Sequence, residues 1–204
     1  MIVIIDYHMG NLHSVRKAFK RIGVETKISS NIEDIKNAKK LVLPGVGNFK
    51  HGMFKLNELG LIDILNQEVL NNKKPILGIC LGMQLFTSFS EEGNVKGLGW
   101  IDATSKKFDF SKNTIKAKIP HMGWNTVLKS RESNLLKGIN EENFFYFVHS
   151  YYVSTNKANE KLAVTKYKIE FTSIVEKENI MGVQFHPEKS HDSGLNLLKN
   201  FSKG

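Results

Sequence analysis

The single cysteine of this chain, Cys80, lies in the run Lys74-Pro75-Ile76-Leu77-Gly78-Ile79-Cys80-Leu81-Gly82-Met83-Gln84-Leu85. An apolar strand, then Gly-x-Cys-x-Gly, then a helix has the form of a nucleophile elbow with sulfur in place of oxygen. The turn leaves no room for a β-carbon at its flanks, which calls for Gly78 and Gly82. It also pushes the middle side chain out at the carboxyl end of the strand, where open α/β sheets place their ligand sites. A thiol there sits at a helix N-terminus, whose dipole and free N–H groups favour thiolate.

Such a nucleophile needs a base, and the base an orienter. Gly182-Val183-Gln184-Phe185-His186-Pro187-Glu188-Lys189-Ser190 offers both. Pro187 biases His186 toward extended backbone. Residues two apart in an extended segment share a side, so Glu188 can reach one ring nitrogen of His186 and leave the other for Cys80. That is the logic of a triad in which a carboxylate fixes the histidine tautomer. Of the other histidines, His149 is the rival base. His121 reads as structural or interfacial, and His8, His13, His51 and His191 read as surface residues. A developing oxyanion needs donors. The N–H of Leu81 is the first candidate, and the glycine-rich Pro44-Gly45-Val46-Gly47 could supply a second from Val46 or Gly47, with a peptide flip between inactive and active states.

The elements around these residues alternate strand and helix through the first half. Strands are expected at Ile2 to Ile5, Val24 to Ile28, Leu41 to Leu43 and Ile76 to Ile79. Helices are expected from Leu12 to Ile22, from Ser30 to Ala38, and as one long amphipathic stretch from Met53 to Leu70. This predicts an α/β fold, an open, mostly parallel sheet flanked by helices. The second half predicts a further, largely antiparallel strand set near Phe108, 115–119, 126–128, 144–148, 162–167, 172–175 and 180–185, then a closing helix over 193–201. With 204 residues, 41% hydrophobic and 24% charged, one domain over 1–204 is expected. The net charge of +9 comes from scattered lysines without interleaved aromatics, so no nucleic-acid partner is expected. The opening Met1 to Asp6 is too soon charged for a signal peptide or a membrane span. One cysteine makes no internal disulfide, and no Cys/His spacing resembles a zinc site. Neither metal nor cofactor is expected, and a cytoplasmic location is.

Finer text narrows the chemistry. Pro44 to Gly47, Gly78 to Gln84, Val95-Lys96-Gly97-Leu98-Gly99, Pro120-His121-Met122-Gly123-Trp124-Asn125, Tyr146 to Tyr151 and Gly182 to Ser190 together resemble the class I glutamine amidotransferases. Within them they resemble the glutaminase subunits of imidazole glycerol phosphate synthases, over nearly the whole chain. The resemblance implies that Cys80 attacks the side-chain amide of glutamine, His186 moves the proton, and water hydrolyses the thioester. It implies that Gln84, Glu92, Ser150 and Tyr151 hold the glutamine. It also implies a TIM-barrel cyclase partner in a heterodimer, which receives the ammonia, with Asn11, Trp124, Tyr146 and Lys189 at the interface. Two positions depart from the family pattern: His8 and Lys168 stand where the family usually has glycine. Paralogues of this subunit supply ammonia for amidination of a surface sugar, and that reading stays open. So does, from another class, a non-enzymatic redox or regulatory protein that keeps the elbow cysteine.

Overall fold

The computed structural model describes residues 1–111, 117–155 and 157–204. Its strands are β1 (Ile2–Ile5), β2 (Thr26–Ser29), β3 (Lys40–Gly45), β4 (Ile76–Cys80), β5 (Thr87–Ser90), β6 (Val95–Lys96), β7 (Ile101–Lys107), β8 (His121–Thr126), β9 (Leu128–Lys129), β10 (Phe144–His149), β11 (Tyr151–Thr155), β12 (Lys161–Tyr167), β13 (Ile169–Lys177) and β14 (Ile180–Val183). The helices are α1 (Leu12–Arg21), α2 (Ile32–Asn37), α3 (Phe49–Glu58), α4 (Leu61–Asn66), α5 (Leu81–Leu85) and α6 (His191–Lys203).

Among the described residues the main sheet runs β2-β1-β3-β4-β14-β13-β11-β7-β5-β6, with β12 and β9 attached beside β13. From β2 to β14 neighbours are parallel, and β14 meets β13 antiparallel. The parallel half is buried on both faces, which is why β1 and β4 read as unbroken apolar runs. Alternate residues feed two core layers. Ile2 and Ile4 pack with Val15 and Phe19 of α1 and Leu197, Leu198 and Phe201 of α6. Val3 and Ile5 pack with Ile35 of α2, Leu56 of α3 and Leu61 and Leu65 of α4. A separate antiparallel ribbon pairs β8 with β10.

The expected long helix over Met53 to Leu70 is broken. Gly60 adopts φ 64°, ends α3 and starts α4, and a wide helical turn over Gln67–Asn71 follows. The reading of 53–70 as one amphipathic face missed a glycine that only has to take one left-handed conformation to fold the stretch back. Strands β5, β6 and β11 were not anticipated either, and β7 and β8 lie mostly outside the stretches expected near Phe108 and 126–128; β6 is a two-residue edge strand, while β11 and β5 are polar strands inside the sheet. The strand expected at 115–119 falls partly on residues outside those described, and Ala117 to Ile119 are not strand.

The two departures from the family pattern now have a structural meaning. His8 sits at φ 64° and Lys168 at φ 61°, the region that L side chains enter at a cost and glycine enters freely. Lys168 makes the tight turn between β12 and β13, where Tyr167 pairs directly with Ile169. Lys168→Gly should therefore raise stability by about 0.5–1 kcal/mol, the relief being partly offset by the freer unfolded chain. A thermal melt of that variant beside the parent checks it; a lowered midpoint would mean the lysine side chain contributes more than its backbone costs.

Candidate active site

The elbow is built as the glycine spacing requires. Cys80 ends β4 with φ 55° and ψ −109° and opens α5, a strained conformation for a side-chain-bearing residue. An added β-carbon at Gly78 would lie 2.6 Å from the Phe86 ring and 2.7 Å from the Met83 nitrogen. One at Gly82 would collide with the Leu43 carbonyl oxygen. Parallel pairing of β3 with β4 sets Gly45 opposite Cys80, so Val46 and Gly47 leave the sheet beside the sulfur. Gly47 has φ 107° and Val46 is 43% exposed. Pro44 and Gly45, expected as part of a loop, are the last residues of β3.

His186 arrives from the other side because β14 is inserted next to β4. Its Nδ1 lies 2.8 Å from Glu188 Oε1, with both side chains buried. The expected route to this contact, an extended segment through residue 188, is not the one taken. His186 is extended, but Pro187–Lys189 forms a turn of 3-10 helix, and the carboxylate folds back onto the ring. Buried Nε2 has no aligned hydrogen bond and is left to Cys80. Burial works against a charge on His186, yet the Cys80 sulfur and the Glu188 carboxylate outweigh it and raise the ring's pKa to about 10. An imidazolium held between sulfur and carboxylate is the arrangement that activates a thiol at neutral pH. The nearby Tyr7 phenol is pushed above its ordinary range, by burial first and by Cys80 second.

A cavity of about 320 Å³ opens on this group, lined by Val46, Gly47, Cys80, Leu81, Gln84, Glu92, Ser150, Tyr151 and His186 among others. Thus the structure gathers the expected nucleophile Cys80, its expected base His186, the expected oxyanion residues and the expected glutamine contacts around one space, with Glu188 behind His186. Gln84 donates through Nε2 to the Tyr151 carbonyl at 2.9 Å. Glu92 accepts from the Phe49 N–H at 2.7 Å, at the start of α3. Sequence reasoning missed Gln184, fully buried on the strand side of His186, whose amide nitrogen lies 3.7 Å from Cys80 Sγ. A glutamine in the otherwise apolar run 180–185 was the available signal.

His149 lines the cavity but is not free to be a base. Its Nδ1 donates to the Tyr151 carbonyl at 2.8 Å, and its Nε2 accepts from His121 Nδ1 at 2.9 Å. His121 Nε2 lies 3.3 Å from the Asn125 amide nitrogen, which donates to it. The bonding assigns each tautomer. Burial lowers His121 to about 4, and it lowers His149 to about 3 despite the bond to Tyr151. Both folded values lie below the ordinary 6.5, so as pH falls the unfolded chain protonates first. Their contribution to stability is full above about pH 6.5 and is lost as pH drops toward 4 and then 3. Urea midpoints should fall between about pH 7.5 and 5, and less steeply in His149→Gln; equal slopes would refute this account of the pair.

The ribbon roofs the cavity and carries an outward face. Trp124 pairs across strands with Tyr146, their ring centroids 5.8 Å apart, and Lys189 Nζ lies 5.7 Å over the Tyr146 ring. Trp124 is 48% and Met122 61% exposed. His191 stacks on Trp124 with centroids 5.1 Å apart. Three of the expected interface residues therefore form one cluster. Asn11 is exposed too, and its carboxamide caps α1 by accepting from the Ser14 N–H.

No helix among the described residues is long and apolar enough to cross a membrane. Residues 3–203 match the family model described as glutamine amidotransferase class-I. The chain is 54% identical to "Imidazole glycerol phosphate synthase subunit HisH 2" of Methanococcus maripaludis, covering 100% of this chain and 99% of that protein. It is 48% identical to the like-named subunit HisH 2 of Pseudomonas aeruginosa, covering 98% of each. It is 49% identical to subunit HisH 1 of Campylobacter jejuni, covering 100% of each. Among solved structures, a "Crystal structure of glutamine amidotransferase" superposes with TM-score 0.76 at 18% identity, over 99% of this chain and 100% of that one. The glutaminase domain of Trypanosoma brucei CTPS does so with TM-score 0.66 at 19% identity, over 99% and 93%. Its sequence along nearly its whole length and its α/β architecture agree: the chain belongs to the class I glutamine amidotransferase family.

Proposed function

We infer that this chain is the glutaminase subunit of an imidazole glycerol phosphate synthase, acting in histidine biosynthesis as one amidotransferase domain. The observation that carries the reading is the cavity, which brings Cys80 and His186 together with Gln84, Glu92, Ser150 and Tyr151. Relatives named for this subunit along the whole chain supply the pathway. Glutamine binds with its α-amino and α-carboxyl groups toward Gln84, Glu92, Ser150 and Tyr151. The Cys80 sulfur attacks the carboxamide carbon, and the oxygen gathers negative charge against the Leu81 N–H and a donor from Val46 or Gly47 once that peptide has turned. His186 gives its proton to the departing ammonia. Water, losing a proton to His186, then attacks the thioester carbon; the carbon–sulfur bond breaks, glutamate leaves and the thiolate is restored. Glu188 holds the ring throughout.

The ammonia passes to a TIM-barrel cyclase subunit docked on the face formed by Trp124, Tyr146 and Lys189 together with Asn11. There it is used to make imidazole glycerol phosphate and an aminoimidazole carboxamide ribotide. The lyase activity belongs to that complex. A free thiol nucleophile suits a reducing compartment, so the cytoplasm is the expected location. Glutaminase activity should be slow in the isolated chain and rise sharply with the cyclase and its nucleotide substrate, as a population shift of the 46–47 peptide. A glutaminase assay with and without the partner tests this, and equal rates would defeat it.

A second reading keeps the chemistry and changes the recipient to a sugar-amidating enzyme. What favours it is that relatives in two organisms carry the subunit number 2, as expected where one genome keeps more than one copy. Growth of a histidine auxotroph lacking this subunit, restored by this chain, separates the two.

A further inference from the structure

We propose that Gln184 is a third partner of the nucleophile, a fully buried amide that donates to the Cys80 sulfur and fixes where it points. The inference rests on the reading of Cys80 as nucleophile and adds a group to it. Its geometry is over-determined by a chain of bonds. Gln84 Nε2 lies 2.9 Å from the Tyr151 carbonyl oxygen, an atom that can only accept, so the Gln84 amide faces it with nitrogen. The same nitrogen lies 3.1 Å from Gln184 Oε1. Gln184 must therefore turn its oxygen toward Gln84, which leaves its NH₂ facing Cys80 Sγ at 3.7 Å. Flipping Gln84 would bury acceptor against acceptor at the Tyr151 carbonyl, and flipping Gln184 would bury donor against donor at Gln84 Nε2. Gln184 is 0% and Gln84 5% exposed, so water does not substitute for either.

Sulfur is a weak acceptor as a thiol and a much better one as a thiolate. A fixed N–H aimed at it favours the charged form, and it does so at the two moments when that form matters: before attack on the amide and when sulfur leaves the thioester. The donor is the first residue after β14, its backbone N–H held at 2.9 Å by the Ser173 carbonyl of β13, and its target ends β4, which pairs parallel with β14, so both ends of the bond are anchored by the sheet. His186 and the buried Tyr7 hydroxyl are the other titratable groups that act with the sulfur, and Glu188 acts on it through His186.

The pH dependence of Cys80 alkylation by iodoacetamide tests this without using glutamine or a partner. In Gln184→Met the alkylation midpoint should move to higher pH by about one unit or more, the size expected for losing a hydrogen bond to a charged atom. Gln184→Glu keeps an oxygen toward Gln84 but turns a second oxygen toward sulfur, and should shift it at least as far. A midpoint within a few tenths of a unit of the parent in either folded variant overturns the proposal. If neither variant folds, the parent protein decides. The Gln184 side-chain amide resonances should titrate together with Cys80, and resonances indifferent to that titration overturn the proposal. Failure of the nucleophile reading itself would look different: Cys80→Ala would keep its glutaminase activity.

Discussion

Cys80→Ala should lose glutamine-dependent ammonia production by about 10⁴-fold or more, the scale on which removing a covalent nucleophile acts. The loss should fall on kcat, because glutamine is expected to be held by Gln84, Glu92, Ser150 and Tyr151, none of which changes. Synthesis from added ammonium salt by the complex should survive, since ammonia supplied from solution bypasses the thioester. His186→Ala should be comparably inactive, while His149→Gln should stay within about tenfold of the parent, because His149 spends both nitrogens on Tyr151 and His121. A second readout belongs to the same variant. Cys80 is the foremost contributor raising the His186 pKa to about 10, so in Cys80→Ala the ring, followed by NMR, should titrate at lower pH. That raised value also sets a pH limit. The folded state favours protonated His186, so the stability it contributes is complete below about 6.5 and is lost as pH rises through about 10. Glutamine turnover by Cys80→Ala at more than about a hundredth of the parent rate would remove the covalent mechanism altogether.

Gly82→Ala is the second substitution with a large expected effect, and it acts on the fold. The added methyl would meet the Leu43 carbonyl oxygen, a backbone atom of β3 that cannot swing aside like a side chain. Relief requires β3 and α5 to separate, and with them Gly45 and Cys80, which pair across β3 and β4. The expected cost is above about 3 kcal/mol, in the range of overpacked cores and beyond that of an ordinary substitution. Gly60→Ala is the fitting control. It also has a left-handed backbone, φ 64°, but nothing lies within 4 Å of the added carbon, so about 1 kcal/mol is expected. Chemical denaturation of both variants decides; Gly82→Ala no less stable than Gly60→Ala would mean that the elbow tolerates a wider turn.

The elbow and the parallel half were readable because their signals are local. Glycine at two positions around a cysteine, and apolar runs alternating with helical periodicity, depend on neighbours in the chain. The long helix over 53–70 was misjudged because periodicity continues across Gly60 even though the backbone turns there. Glu188 was found for a partly mistaken reason, since the contact comes from a 3-10 turn after Pro187. Gln184 was passed over because its significance lies in Gln84 and Cys80, 100 and 104 residues away. Nothing in a strand's own residues announces which strand it will lie beside. The same holds for Trp124 and Tyr146, which come side by side only once β8 pairs with β10. His8 and Lys168, read as departures from a pattern, turned out to occupy backbone conformations that explain the pattern.

The position of β14 carries a consequence for how the protein is made. It lies between β4 and β13, at the seam of the parallel and antiparallel halves, yet it comes later in the chain than every other described strand. Cys80 is translated 104 residues before Gln184 and earlier still than His186, so for that stretch of synthesis the thiol lacks the two side chains that surround it in the folded protein. The elbow is therefore completed only when β14 and the segment after it seat beside β4.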